Sequence, residues 1–362
     1  MTLKATVTYD ADEYKADNTA YADAKVVDSD VPMPASFSSS KDEAANKLTM
    51  TWSTPKAVNK RVTEDFEQYD SWTINQFGDW TTYTGKKGNT TGGWWATYGM
   101  PFPHEGEKYT YIVFNPEAIQ PGITSQNSSI APRSGEKCLM SMYSRDGRTY
   151  YDTDDWQISP MLSGEAQTIL FWANNGQPNM TKIRYPQTIE VLYSDKTADH
   201  ADFKKVSTFT QSGGKWNSYT AELPDGANYF AIRCTTKEAD VFCLLLDDVY
   251  YYAGYGKLKG YNVYRNDELI ATLPADATST TVTYDPNAEA TLYSVSAVFV
   301  GGESTAAYDE ACQTDIHNVT IDAQHPADVY TVDGRIVRKN AISLAQLPKG
   351  IYVVNGKKIV KK

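Results

Sequence analysis

A chain of 362 residues is long for one domain, and a 41% hydrophobic content is enough for two to four separate cores. Its 34 basic and 45 acidic residues leave a net charge of −11, which argues against nucleic acid and anionic membrane surfaces as main partners. No stretch reaches the roughly 20 consecutive apolar residues of a transmembrane segment.

Abundant Val, Thr and Trp, 26 Tyr, and recurring Gly, Asn and Asp turns point to an all-β chain. Residues 1–31 read as two strands, near 3–9 and 21–27, resembling the remnant of an upstream Ig-like domain or a linker. The start at Met1 has no apolar leader, so it is expected to be an added start residue or a cut point in a longer precursor. Residues 47–53 alternate with Leu48, Met50 and Trp52 on one face, and Pro55 follows. That beginning resembles a fibronectin type III domain that then breaks off. Its continuation resembles residues 260–270, 280–284 and 293–298, with Tyr293 in the place of the corner tyrosine. Two strands before the gap and about five after it reach the seven of such a sandwich. The expected architecture is therefore a split fibronectin type III-like domain over 32–56 and 255–312, with residues 57–254 inserted. Trp52 should share one core with Tyr261, Val263, Tyr293 and Val295. Insertion also requires the first and last strands of the guest to be neighbours.

Within the guest, Asp154-Asp155-Trp156-Gln157-Ile158 reads as a loop feeding a strand that stops at Ser159-Pro160. Around it stand, in order, 63–67 with Glu67 on the first strand, Trp72, 135–141, 170–172, 189–194, Trp216, 230–233 and 244–249. This ordered series resembles the cleaved-adhesin or choice-of-anchor J jelly-roll family, known from gingipain-type adhesin regions. The resemblance implies a jelly roll, a binding role at a bacterial surface, and structural Ca2+ held by Glu67, Asp247 and Asp248. Strand alternation lets only one of the two aspartates share a face with Glu67, and Asp248 is favoured, with carbonyls from the 73–95 loop. The alternative is that these acids hydrogen-bond loop amides. In the loop 73–80 relatives often carry several aspartates, whereas only Asp79 stands here.

Residues 313–362 contain two hairpin signals, one turning on Asp333-Gly334 and one on Asn355-Gly356. With the basic end, they resemble a C-terminal sorting domain of the type IX secretion system. That resemblance implies export to the outer-membrane surface of a Gram-negative, Bacteroidetes-type bacterium.

Signals of catalysis are few. His104, His200, His317 and His325 show no paired metal spacing, and no G-x-S-x-G elbow is present. The segment 85–93 has the composition of a phosphate loop without its order. Asp154, Asp155 and Glu190 supply carboxylates for glycoside hydrolysis or, alternatively, turn formers and cation ligands. Cys138, Cys234, Cys243 and Cys312 lack CxxC spacing; Cys234 and Cys243 either face each other across a hairpin or serve as small buried hydrophobes. The loop 92–103 packs Trp94, Trp95, Tyr98 and Phe102 among Gly and Pro. It is the candidate contact surface for a sugar face or a partner's apolar patch, unless the two tryptophans cap the core. Tyr250, Tyr251 and Tyr252 read as strand packing. The expected function is a secreted or cell-surface, non-catalytic adhesin module that recognises a host extracellular protein or glycan. The alternative is the accessory carbohydrate-binding C-terminal region of a larger secreted protease or glycosidase. Nothing in the sequence signals an oligomeric state.

Overall fold

Side-chain burial in the computed structural model alternates with a period of two along strands such as Ala35–Asp42, Lys47–Ser53 and Gln167–Asn174, as half-buried strands require. The fold class is all-β, with multiple antiparallel sheets. The structure describes residues 2–6, 19–23, 30–90, 103–104, 106–119, 130–146, 148–176, 186–237, 243–286, 291–314, 326–331, 334–345, 347–348, 350–354 and 357–361. The chain divides into two compact units.

One unit comprises Ala57–Leu258 with Phe299–Gly301. Among the described residues its main body is two antiparallel sheets. The five-stranded sheet runs Lys204–Gln211, Gln187–Ser194, Tyr229–Cys234, Asp155–Ile158, Thr81–Thr84. The six-stranded sheet runs Asn217–Leu223, Gln167–Asn174, Cys243–Ala253, Cys138–Met142, Ile112–Phe114, and Lys60–Glu64 pairs with the second half of Cys243–Ala253. Val249 faces Glu64 and Ala253 faces Lys60, so the first and last strands of the unit lie side by side. The inner faces meet in one core, where Trp80 stands edge-on to Phe230 and Tyr251, at 5.7 Å from each. Asp155–Ile158 ends just before Ser159-Pro160, as the proline predicts. This unit runs past residue 254 because backbone bonds continue: Gly256 N–H donates to Leu162 and Gly301 N–H to Tyr255.

The other unit comprises Met1–Lys56, Lys259–Val298 and Gly302–Lys362. In it, Ser279–Thr283 pairs with Lys47–Ser53, Ser279 facing Thr51 and Thr283 facing Lys47. Ala35–Asp42 flanks the other edge of Lys47–Ser53. Leu48, Met50 and Trp52 are buried, as are Tyr261, Val263, Tyr293 and Val295. The ring of Trp52 lies 5.1 Å from that of Tyr261. The last residues form an antiparallel sheet in the order Ile336–Ala341, Ala327–Thr331, Gly350–Val354, Lys357–Lys361 around Val329, Tyr352 and Val354. Thr2–Thr6 and Thr19–Asp23 form a two-stranded ladder.

Candidate ligand-binding site

The outer face of the six-stranded sheet carries a groove of about 560 Å³. Its lining follows from strand periodicity. On Gln167–Asn174 the residues Ile169, Phe171 and Ala173 point into the core, which leaves Thr168, Leu170 and Trp172 on the outer face. On Cys243–Ala253, Tyr251 is buried and Tyr250 and Tyr252 face outward, Tyr252 with 40% of its surface exposed. Lys60–Glu64 adds Arg61, opposite Tyr252. Across the groove, Leu170 faces Tyr250 on one side and Thr220 on the other, and Thr168 faces Glu222. The Thr168 hydroxyl donates to the Glu222 carboxylate at 2.8 Å. Aromatic rings flanked by hydroxyls are the chemistry that stacks on sugar rings and bonds their edges.

A β-bulge closes one end of the groove. Leu170 faces Tyr250 but Trp172 faces Asp247, so Cys243–Ala253 carries one extra residue, and Asp248 has a left-handed φ of 45°. The buried set on this strand changes parity across the bulge, from Leu244 and Leu246 to Val249 and Tyr251. This corrects the expectation that Asp247 and Asp248 diverge. Both reach the same segment: Asp247 Oδ2 accepts from the Arg133 and Ser134 amides at 2.9 and 3.3 Å, and Asp248 pairs with the Arg133 guanidinium and accepts the Ser134 hydroxyl at 3.1 Å. The Arg133 guanidinium in turn lies over Trp172, 4.0 Å from the ring centre, and holds that indole at the groove end.

Glu67 stands in a turn beyond Lys60–Glu64 rather than on the first strand, because Phe66 takes a left-handed φ of 60°. Its Oε1 accepts the amides of Glu136 and Lys137 at 2.9 and 2.7 Å. Segment 133–137 is thus tied by Glu67 at one end and by Asp247 and Asp248 at the other. Gly135, with φ +56°, sits against the Glu67 carboxylate where a Cβ would collide. Among the described residues no three His, Cys, Asp or Glu side chains gather as a metal ligand set. The donors on these three acids are amides, a hydroxyl and a guanidinium, the kind of contact the loop-amide alternative expects. Burial, and then the Asp248 charge, push the Asp247 carboxyl up to about 7.

The carboxylates considered for catalysis are engaged elsewhere. Asp154 accepts Arg233 Nε at 2.6 Å and the Trp156 indole at 2.7 Å, and the same guanidinium reaches Glu190 at 3.0 Å. Asp155 is sealed in the core with Lys86, Nζ to Oδ2 2.8 Å, and accepts the Ser141 hydroxyl at 2.7 Å. Burial raises its pKa against the opposing pull of Lys86. All four cysteines are buried free thiols, and Cys234 and Cys243 lie in different sheets. Burial pushes the Cys243 thiol up to about 12, away from the reactive thiolate.

Trp94, Trp95, Tyr98 and Phe102 lie outside the described residues. The groove residues Trp172, Tyr250, Tyr252 and Arg61 were not singled out as a site by the sequence. Their signal was present in the alternation of 168, 170 and 172, but the four come together only because Cys243–Ala253 pairs with Gln167–Asn174 on one side and with Lys60–Glu64 on the other.

No family model matches the chain. It is 26% identical over 279 residues to Lys-gingipain W83 of Porphyromonas gingivalis, an alignment covering 65% of this chain and 15% of that protein. The same identity and length hold for Hemagglutinin A of Porphyromonas gingivalis, of which 12% is covered. The chain therefore spans a small fraction of the curated relatives it matches. Among solved structures, the K2 cleaved adhesin domain of Lys-gingipain is 17% identical, with 53% of this chain and 98% of that one covered at a TM-score of 0.36. The xylan-binding CBM22-2 domain from Paenibacillus barcinonensis is 14% identical, with 53% and 99% covered at a TM-score of 0.30. At these TM-scores the structural likenesses carry no functional argument. The sequence matches fall in the same group as the cleaved-adhesin resemblance read from the residues.

Proposed function

We propose that this chain is a non-catalytic, adhesin-type binding module acting outside a Gram-negative cell, and that its 57–258 unit takes a saccharide in the groove lined by Trp172, Tyr250 and Tyr252. The observation that carries the reading is the groove itself, an aromatic floor with hydroxyls along its sides and Arg133 fixing one ring. A glycan array probed with the full chain tests it. Trp172→Ala and Tyr252→Ala should each remove the signal, and binding that survives both places the site elsewhere. Similarity to a segment of Lys-gingipain supports, as a second reading, an accessory binding region of a larger secreted hydrolase.

Residues 32–56, with 259–298 and 302–312, are read as a split fibronectin type III-like sandwich, supported by the pairing of Ser279–Thr283 with Lys47–Ser53. Residues 313–362 are read as a sorting module for outer-membrane export, and deleting them should abolish surface display in a native host while the 57–258 unit stays folded. Glu67, Asp247 and Asp248 are assigned to holding segment 133–137 in place of Ca2+. Chelation should then leave the melting temperature unchanged, and a fall in it together with metal found by elemental analysis would restore the calcium reading.

A further inference from the structure

The charges of the groove are arranged unevenly. Arg61 lines one side, and Glu222 stands just beyond the other, on the edge strand Asn217–Leu223, across Tyr252 and Thr168. Among the described residues no carboxylate pairs with Arg61, whereas the Arg133 guanidinium is already committed to Asp248 and Trp172. Glu222 is held by the Thr168 hydroxyl and keeps acceptor capacity for further donors. An exposed, uncommitted guanidinium beside flat rings is suited to a planar carboxylate carried on a sugar ring.

We propose that the groove selects acidic saccharides, with the carboxylate of a uronic or sialic acid residue on Arg61 and a neutral neighbouring sugar donating hydroxyls to Glu222. The inference rests on the saccharide reading above and adds the ligand's charge and its direction. A carboxylate placed near Glu222 would be repelled, so the chain polarity of the ligand is fixed by the two charges. The protein's overall charge of −11 opposes this only weakly, because charges more than about 8 Å away are screened at physiological ionic strength. The local guanidinium decides.

The test uses the full chain against immobilised glycans in matched pairs: oligogalacturonate and its methyl ester, and sialylated and asialo forms of one glycan. The acid should bind at least about tenfold more tightly than its neutral partner in one pair, and which pair responds identifies the source of the carboxylate. Arg61→Gln, at an exposed position, should bring the acidic form's affinity down to that of its neutral partner, and Glu222→Gln should preserve the difference between the two. Equal binding of acid and neutral forms, with Arg61→Gln silent and Tyr252→Ala destructive, would overturn the acidic preference and leave the groove standing. No binding to any member of either pair would overturn both.

Discussion

Replacing Lys86 with methionine tests how the inserted unit's core is held together. Lys86 and Asp155 have no exposed side-chain surface, and their contact at 2.8 Å is backed by the Ser141 hydroxyl at 2.7 Å. Without Lys86 the carboxylate keeps only hydroxyl donors, Ser141 and Thr84, in a dry interior, where an unpaired charge costs about 3–5 kcal/mol. Protonation sets a ceiling on that cost. A carboxyl of ordinary pKa near 3.9 held neutral at pH 7 costs about 4 kcal/mol, at roughly 1.4 kcal/mol per pH unit. The sign follows from the direction of the shift. Burial raises the folded carboxyl above its unfolded value, so the unfolded state releases its proton first and folding weakens as pH rises. Lys86→Met should therefore be mildest near about pH 4 and worst near about pH 7. Lys86→Met with Asp155→Leu should return to within about 1–2 kcal/mol of the parent, because no charge is left behind. Urea unfolding followed by hydrogen exchange of the Asp155–Ile158 amides reports on this unit rather than the whole chain. A pH-independent loss, or a double variant no better than the single one, would refute the reasoning.

Trp52→Ala should cost about 3–5 kcal/mol in the unit that contains it, read by chemical denaturation. Trp52→Phe should cost clearly less, because the buried indole nitrogen finds no hydrogen-bond partner among the described residues and its loss leaves nothing unpaired. Gly135→Ala should lower stability by about 1–3 kcal/mol, since φ is +56° and the new methyl meets the Glu67 carboxylate. Alkylation of the four thiols in the native protein should be slow compared with the unfolded chain, and rapid native labelling would contradict their burial.

What the sequence made legible was local and periodic. Leu48, Met50 and Trp52 recur at every second residue and are buried, and Ser159-Pro160 ends its strand. The bulge at Asp248 was not legible. The run Cys243–Ala253 is apolar on both faces over its first half, so its pattern gives no sign that parity changes. Two aspartates that alternation sends apart consequently meet one loop. Glu67 was misplaced for a related reason: a single left-handed residue, Phe66, takes the chain off the strand before it. The groove lay hidden because its parts come from 61, 168–172 and 250–252, and Tyr250-Tyr251-Tyr252 has the look of ordinary packing until Tyr251 is seen to be the buried one.

Nuclear magnetic resonance mapping of a bound oligosaccharide on the isotope-labelled full chain tests the central claim most directly. The groove account predicts that the indole and ring signals of Trp172, Tyr250 and Tyr252 and the guanidinium of Arg61 shift together and saturate with one affinity. Shifts confined to Trp94, Trp95, Tyr98 and Phe102, with the groove residues unmoved, would contradict it and return the binding surface to the loop.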